Sequence, residues 1–296
     1  MIASKPGRSP RSSRLREKSA PYLFILPFLI SFLTFFLYPV CYSFYISLTK
    51  YKGYGAMKWV GLDNYRRLLN YSTMWNCLLN TFEYFIFSFI PVMILAFLLA
   101  VIVRSKTISR YQKIYKPLIF LPQVCAVVAS ALVFKVIFGG QVGVINQVLH
   151  TEIPFLSDSK LMKIPVVCMI TWRQIGWYFI IFLSGLTTIS NEVLEASVVD
   201  GANAVQQLFR ITIPMMKPIF KLTFVTYAIG AFKLYTEPNL IIAKEEAPLS
   251  VAPYVNMITT NINGGVFGMA SAAGWILVVI IILMTLFQMY LMREED

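Results

Sequence analysis

The sequence predicts an all-α polytopic membrane protein with six transmembrane helices. Of its 296 residues, 57% are hydrophobic and 14% are charged, whereas a soluble globular domain has about 25% charged residues. The mean hydropathy is +0.67. The apolar residues form runs long enough to cross a bilayer, which takes about 20 helical residues. Together these observations exclude an ordinary soluble domain.

Six apolar runs predict the membrane spans. The first run follows a basic stretch, as the core of a signal peptide would. It is too long for that, and no small-residue cleavage site follows it, so we expect an uncleaved signal anchor. Lys135 and Lys233 interrupt the third and fifth runs, which are the weakest of the set. The predicted spans are residues 22–47, 82–103, 117–138, 164–186, 217–240 and 270–291.

Lysine and arginine in the connecting loops predict the orientation. Cytoplasmic loops are enriched in these residues, which explains the net charge of +12 better than nucleic-acid binding does. Residues 1–20, rich in Ser, Pro and Arg, are expected to form a disordered, basic cytoplasmic tail before a six-span domain over 21–296. The second loop is also basic, although the cations of the first loop weaken the bias. Both termini are therefore predicted to be cytoplasmic.

Several function classes lack the residues that they need. The four cysteines show no metal-ligand or disulfide spacing. No arrangement of nucleophile, base and acid predicts an intrinsic enzyme. No GxxxxGK[ST] phosphate-binding loop occurs in the sequence. If the protein performs energy-driven work, we expect another chain to supply the energy.

The fourth loop, at about residues 190–214, is polar and is predicted to form a helix, a corner and a second helix. Asn191 is a good N-cap, and Glu192 places negative charge in the first turn. Gly201 is expected to turn the chain sharply before a second helical stretch over 204–210. The loop is predicted to stand out of the membrane on the cytoplasmic side.

The small side chains of this loop indicate its role. Ala196, Ser197 and Ala202 leave little apolar area to bury, and small residues allow close approach by a partner. Pro214 and Pro218 then remove backbone donors just before the fifth span. A surface helix that merely joins two spans is the alternative. A docking element for a water-facing partner fits the small face better.

The same loop resembles a known signature. The stretch "EASVVDGANAVQQLFRITIP" is similar to the pattern E-A-A, three residues, G, nine residues, I-x-L-P of bacterial ATP-binding-cassette importer permeases. Ser197 stands where the pattern has Ala, and Ile213 stands where it has Leu. The matching positions are Glu195, Ala196, Gly201, Ile211 and Pro214.

Three further stretches resemble the carbohydrate-uptake branch of these importers. They are "FLSGLTTI" at 182–189, "LPFLISFLTFFLYPV" at 26–40 and "WVGLDNYRRLL" at 59–69. They are similar to the larger membrane subunit of the maltose transporter, without its two extra spans. The resemblance covers nearly the whole chain. It implies a type I importer permease fold and a subunit that moves a sugar or oligosaccharide by alternating access.

The resemblance also implies partners. A second permease would complete a heterodimer, and an extracytoplasmic solute-binding protein would deliver the carbohydrate substrate. Two ATPase subunits would bind ATP and Mg, so no cofactor is expected in this chain. The fourth loop would form coupling helices seated in a cleft of the ATPase. The residues assigned to this coupling contact are Glu192, Glu195, Ala196, Ser197, Asp200, Gly201, Ala202, Arg210 and Pro214.

Polar, charged and aromatic residues of the fourth and fifth spans predict a substrate pathway, because such residues are costly inside a membrane. Aromatic faces with hydrogen-bonding groups suit a sugar, although an interfacial aromatic belt is the alternative for any single aromatic. The resemblance implies substrate contacts in the same two spans. The candidate residues are Trp172, Arg173, Gln174, Trp177, Tyr178, Thr226, Tyr227, Gly230 and Lys233.

Three of these candidates depart from the family pattern. The pattern has Gly where Gln174 stands, and Asn where Gly230 and Lys233 stand. The departures imply a ligand different from maltose. The cations Arg173 and Lys233 would permit an acidic or a larger oligosaccharide.

Other functions stay open. A self-sufficient secondary transporter would need inverted repeats and intramembrane acids for ion coupling, and the predicted span interiors are poor in acids. A membrane scaffold would not need the coupling loop. Within the importer superfamily, a non-carbohydrate solute is the alternative. Glu83, near the start of the second span, is expected to lie at the interface beside a basic partner.

Overall fold

A computed structural model of the chain confirms the helical class. It describes residues 22–105, 111–141, 143–242 and 249–291. The predicted basic tail over 1–20 lies outside the described residues. Within the described ranges, the β-structure is one short antiparallel ribbon, in which β1 (Thr49–Lys50) pairs with β2 (Lys58–Trp59).

The helices are numbered in chain order. A π-helical segment, Leu33–Leu37, lies within the first helix, and a second one, Leu208–Thr212, follows the ninth. The helices are α1 Tyr22–Ser47, α2 Asp63–Leu69, α3 Ser72–Arg104, α4 Gln112–Val124, α5 Val127–Ile137, α6 Val144–Leu149, α7 Lys163–Thr188, α8 Asn191–Val199, α9 Ala204–Gln207, α10 Ile213–Met215, α11 Lys217–Phe232, α12 Thr236–Ile241, α13 Tyr254–Asn263 and α14 Phe267–Leu291.

Four helices of the described chain, α1, α3, α7 and α14, are long and apolar enough to cross a membrane. They confirm the first, second, fourth and sixth predicted spans. The third predicted span is instead the pair α4 and α5, bent by 90°. Pro117 and Pro122 remove two backbone donors from α4. Cys125 and Ala126 then take extended conformations, with ψ of 138° and 134°. The third predicted span is therefore present as two helices joined at a sharp bend.

The fifth predicted span is also not one continuous helix. α11 has 16 residues and ends at Phe232. The N–H groups of Lys233 and Leu234 bond to carbonyls three residues back, at 3.1 and 3.2 Å, which closes the helix. Gly230, one of those two acceptors, is a weak helix former. Tyr235 then leaves the helical conformation before α12 begins. The fifth predicted span thus consists of α11 and α12 with a break at residues 233–235.

The core is built around the contact between α3 and α7, against which α4, α11 and α13 also pack. Aromatic rings fill the contacts between these helices. Phe97 of α3 and Phe182 of α7 lie 5.5 Å apart in an edge-to-face arrangement. Phe85 of α3 meets Phe224 of α11 at 5.8 Å in the same geometry. Such pairs add about 0.5–1.5 kcal/mol each beyond their buried area.

Polar side chains of α3 hold the segment that precedes α13. The Asn80 amide nitrogen donates to the carbonyls of Leu249 and Ala252, at 2.9 and 3.0 Å. One turn further on, the Tyr84 hydroxyl donates to the carbonyl of Val251 at 2.9 Å. These bonds supply partners to carbonyls that lie outside a helix, as a buried backbone requires.

Glu83 pairs with Lys163, the first residue of α7. The Lys163 ammonium also donates to the Asn80 amide oxygen at 2.7 Å. The carboxylate of Glu83 is about half exposed, whereas Lys163 is mostly covered. The basic partner predicted for Glu83 is therefore confirmed, and the pair ties the start of α7 to α3.

Gly176 brings α4 against the backbone of α7. A Cβ atom at Gly176 would lie 2.5 Å from the Ile119 carbonyl oxygen and 2.9 Å from the Phe120 Cα. Both are backbone atoms, which cannot move aside as a side chain can. Gly176 lies within a helix, so its backbone conformation does not require glycine. Glycine is required here because the two backbones approach so closely.

We expect Gly176→Ala to force α4 away from α7 and to destabilise the protein by about 1–3 kcal/mol, as overpacking does. Gly274→Ala is the matched control, because Gly274 also lies inside a helix and its Cβ would meet no described atom within 4 Å. Thermal unfolding of the two detergent-purified variants tests this expectation. A wild-type midpoint for Gly176→Ala would contradict it.

Candidate functional site

The fourth loop forms the helix, corner and helix that the sequence predicts. α8 begins after Ser190, whose hydroxyl oxygen accepts a hydrogen bond from the Val193 N–H at 3.4 Å. Asn191 is the first helical residue, so its predicted role as N-cap is wrong by one position. Glu192 lies in the first turn, where the helix dipole favours a negative charge.

Gly201 closes α8 with a left-handed φ of +83°. The Ala202 N–H donates to the Ser197 carbonyl at 2.9 Å, and the Gly201 N–H donates to the Val198 carbonyl at 3.0 Å. These two bonds define a Schellman motif, in which glycine takes the left-handed position at least cost. The predicted glycine corner is confirmed.

A capping box begins α9. The Asn203 side-chain oxygen accepts from the Gln206 N–H at 2.8 Å, and the Gln206 side-chain oxygen accepts from the Asn203 N–H at 2.9 Å. This reciprocal pair satisfies two backbone donors that the helix itself cannot. The Asn-x-x-Gln spacing was present in the sequence as a signal for this helix start.

Gln207 clamps the two helices of the loop together. Its amide nitrogen donates to the Leu194 carbonyl and to the Ser197 hydroxyl oxygen, each at 2.8 Å. The Ser197 hydroxyl in turn donates to the Leu194 carbonyl at 2.7 Å. Ser197 is only 6% exposed. It therefore holds the loop together from inside, in contrast to its predicted place on the docking face.

The other predicted coupling residues of α8 point to solvent. We call the exposed side of α8 and its corner the outer face. It also includes two valines: Val198 is 62% exposed and Val199 is 87% exposed. The outer face is thus more apolar than the small face that the sequence predicts, while Ala202 is half-buried beside it. The outer face consists of Glu192, Glu195, Ala196, Val198, Val199, Asp200 and Gly201, of which Glu195 and Val198 lie at its edge and also line the cavity between the loop and the core helices.

The second helix of the loop runs on into α11. The Ile213 N–H bonds to the Leu208 carbonyl, five residues back, which makes a π-helical turn before Pro214. The predicted end at Arg210 is therefore wrong, because the wider turn carries the helix past it. Arg210 and Pro214 are both exposed. The Met216 N–H then bonds to the Thr212 carbonyl at 3.0 Å, immediately before α11 begins.

Arg104 fixes the loop to the end of α3. Its guanidinium donates to the Ile189 carbonyl at 2.8 Å, directly before the capping residue Ser190. Arg104 and Gln207 also line a cavity of about 390 Å³ between the ends of α3 and α7 and the loop. Arg104 thus connects the loop to the end of α3.

A central cavity of about 270 Å³ lies at the other end of α11. It lies between α7, the break that separates α11 from α12, and side chains of α3 and α4. Five predicted pathway residues line it: Arg173, Gln174, Tyr227, Gly230 and Lys233. The described residues hold no group of three or more His, Cys, Asp or Glu side chains that could bind a metal ion.

The other predicted pathway residues lie outside the lining of this cavity. Trp172 is 40% exposed and contacts the ring of Phe134 at 5.8 Å. Trp177 is 48% exposed. Such exposure of a span residue fits the aromatic-belt alternative. Tyr178 is buried against Tyr227. Thr226 donates to a carbonyl of its own helix at 2.8 Å.

Sequence reasoning missed Glu237, which pairs with Arg173. The Arg173 Nη1 atom lies 3.4 Å from the Glu237 Oε1 atom, and the two side chains are 14% and 20% exposed. An acid within a predicted span was the available signal, since Glu237 falls inside residues 217–240. Tyr84, Gln123 and Tyr235 also line the cavity and were not among the predicted site residues.

The hydroxyl groups of two lining tyrosines are engaged by the protein. Tyr227 donates to the Ser88 hydroxyl oxygen at 2.6 Å, and Tyr84 donates to the Val251 carbonyl at 2.9 Å. Their hydrogen-bonding capacity is therefore partly used for packing. What these residues offer the cavity is chiefly the aromatic ring.

Residues 78–294, which include the outer face and the central cavity, match the protein family described as "Binding-protein-dependent transport system inner membrane component". The chain belongs to this family. As a member, it is a multi-pass membrane component of a binding-protein-dependent transport system.

Two relatives match this transport component over most of their length. The "Probable ABC transporter permease protein YesP" of Bacillus subtilis (strain 168) is 34% identical over 293 residues, which cover 96% of this chain and 92% of that protein. The "Arabinooligosaccharides transport system permease protein AraP" of the same strain is 29% identical over 284 residues, which cover 93% of this chain and 89% of that protein.

A solved structure shares the fold of this transport component. It is a chain of a "bacterial alginate ABC transporter in complex with alginate pentasaccharide-bound periplasmic protein". The TM-score is 0.81 at 21% sequence identity, with 95% of this chain and 96% of that chain covered. The fold is thus that of a type I ATP-binding-cassette importer permease, as the sequence predicts.

We expect Gln207→Glu to loosen the fourth loop, because a carboxylate cannot donate to the Leu194 carbonyl or to the Ser197 hydroxyl. Loss of bonds of this kind destabilises by about 1 kcal/mol, so amides of residues 191–207 should exchange several-fold faster with deuterium. Asn191→Ala is the control, since Asn191 is exposed and has no side-chain hydrogen bond within the described residues. Equal exchange in the two variants would contradict the clamp.

Proposed function

We propose that this chain is the permease subunit of an ATP-driven importer that moves a sugar or oligosaccharide across the cell membrane by alternating access. It would form a heterodimer with a second permease, above two ATPase subunits that bind ATP and Mg. A solute-binding protein would deliver the substrate from outside. Both termini and the fourth loop would face the cytoplasm, as the basic loops predict.

One observation carries the proposal, namely that the outer face and the central cavity lie at opposite ends of one structural unit. The loop is internally braced by Gln207 and continues through the π-helical turn and α10 to Met216, after which α11 begins. α11 ends at the break where Lys233 lines the cavity. A partner that moves the outer face would therefore move one wall of the cavity.

The outer face has the character of a docking surface. A water-facing loop that only joined two helices would have no need to expose Val199 almost fully at its corner. Its carboxylates, Glu192, Glu195 and Asp200, would meet basic groups in a cleft of the ATPase. Ser197 and Gln207 would keep this surface rigid, so that the force of ATPase closure is not lost in bending the loop.

Relatives and cavity chemistry together support a carbohydrate. AraP is named for arabinooligosaccharides, and the structural neighbour is named for alginate. The cavity combines tyrosine rings with the amides Gln123 and Gln174, which suits the apolar faces and hydroxyl edges of a sugar. A non-carbohydrate solute and a secondary transporter are the competing functions that the experiments have to exclude.

Purification of the tagged chain in detergent, from cells expressing the neighbouring transport genes, tests the assembly. We expect an ATPase and a second permease to co-purify, and vesicles containing this complex to take up labelled oligosaccharide only with ATP. A transport-competent homodimer without an ATPase would overturn the proposal. ATP-driven uptake of other solutes but no sugar would favour the non-carbohydrate alternative.

We expect Gly201→Val to lower ATP-driven uptake at least about tenfold without reducing the amount of protein in the membrane. A β-branched residue with φ of +83° is strained by about 1–3 kcal/mol, so the corner would refold and displace the outer face. Gly201→Asn is the matched control, since Asn tolerates the left-handed region far better. Normal uptake by Gly201→Val would remove the coupling role.

A further inference from the structure

The charge of the central cavity bears on which class of sugar it fits. Within the described residues, the charged side chains that line the cavity are Arg173, Lys233 and Glu237. Two cations face one carboxylate, so the cavity has an excess of one positive charge. An uncharged sugar offers no group of opposite charge to this excess, whereas a carboxylate does.

Arg173 is only partly neutralised by Glu237. Their closest contact joins one guanidinium nitrogen to one carboxylate oxygen at 3.4 Å, which is long for a charge-assisted hydrogen bond. The Arg173 Nε atom is buried and has no hydrogen-bond partner among the described residues. A guanidinium has five donors arranged to fit a carboxylate. Arg173 therefore retains the capacity to bind a second anion.

Lys233 supplies the second cation and has no described partner. It directly follows α11, where the helix has ended, and its side chain is exposed. Its ammonium makes no hydrogen bond or ion pair within the described residues, in contrast to that of Lys163, which is held by Glu83. Since Lys233 and Arg173 line the same cavity, one after the end of α11 and the other from α7, a ligand between them would meet positive charge from two segments of the chain.

The remaining lining groups suit a sugar ring. Tyr84, Tyr227 and Tyr235 present aromatic rings, and Gln123 and Gln174 present amides that both donate and accept hydrogen bonds. Aromatic faces pack against the C–H faces of a pyranose, and amides bond to its hydroxyls. The cavity therefore combines groups for a sugar ring with groups for a carboxylate.

We propose that the substrate is an acidic oligosaccharide, built from uronic-acid units, whose carboxylate binds between Arg173 and Lys233. Glu237 is the positioning residue that orients the Arg173 guanidinium. This inference rests on the proposed function, because it names the substrate class of the same cavity. Lys233 then selects for charged substrates, because a neutral side chain at the same position would suit an uncharged sugar.

Matched probes separate the charge of the substrate from its shape. Cells that express the complete transporter are given labelled tri-uronates of mannuronate, guluronate, galacturonate or glucuronate. A second set consists of the same trisaccharides with each carboxylate reduced to a primary alcohol. Wild-type cells should import at least one tri-uronate and should import its reduced counterpart at least about tenfold more slowly.

Variants of this chain then assign the discrimination to the cavity. Lys233→Gln should lower import of the tri-uronate about tenfold and import of the reduced trisaccharide much less, and Lys233→Arg should restore most of the loss. Lys113→Gln is the control, because this substitution removes the same charge at an exposed position of α4 that does not line the cavity.

The outcomes distinguish this inference from the proposed function. Import of the reduced trisaccharides with no import of any tri-uronate would overturn the acidic substrate but keep the sugar importer. An equal fall for both probes in Lys233→Gln would overturn the role of Lys233 in charge selection. Failure of wild-type cells to import either set would count against the proposed sugar transport itself.

Discussion

A chain embedded in a membrane has to satisfy its backbone polar groups within the protein, and this constraint explains where the helices of this permease break. The interruptions lie at Cys125–Ala126 and at residues 233–235. Both flank the central cavity, since Gln123 and residues 233–236 line it. Irregular backbone at membrane depth is tolerated where it is buried in protein or lines a cavity. The break after α11 therefore forms part of the wall of the site, and the break between α4 and α5 begins two residues beyond Gln123, which also lines it.

A stripe of polar residues on α3 supports that wall. Asn80, Tyr84 and Ser88 recur at intervals of four residues, so they share one helix face. Asn80 and Tyr84 bond to carbonyls of residues 249–252, and Ser88 accepts from Tyr227 of α11. Hydrogen bonds between helices in a membrane contribute about 0.6–2 kcal/mol each. The long helix α3 thus holds both the irregular segment and α11 in place.

The sequence allowed prediction of features that are local. Continuous apolar runs predicted four spans, and Gly201 predicted the corner, because each depends on adjacent residues alone. The breaks within two spans were not predicted, because hydropathy measures the polarity of side chains and does not report where the helical hydrogen-bond pattern ends. Glu237 was visible as an acid within a predicted span, but its pairing with Arg173 was not, because that pairing depends on the break after α11, which brings α12 against α7.

Ser197 shows why the orientation of a side chain can depend on a residue far along the chain. Its position on α8 was compatible with either side of a small helix, and the family pattern has Ala there. Only Gln207, ten residues later, decides which side is covered, because its amide bonds to the Ser197 hydroxyl and to the Leu194 carbonyl. Compared with Ala, Ser carries an additional hydroxyl group, and its oxygen accepts a hydrogen bond from the Gln207 amide. The hydrogen bond between Ser197 and Gln207 therefore stiffens the loop behind its exposed valines.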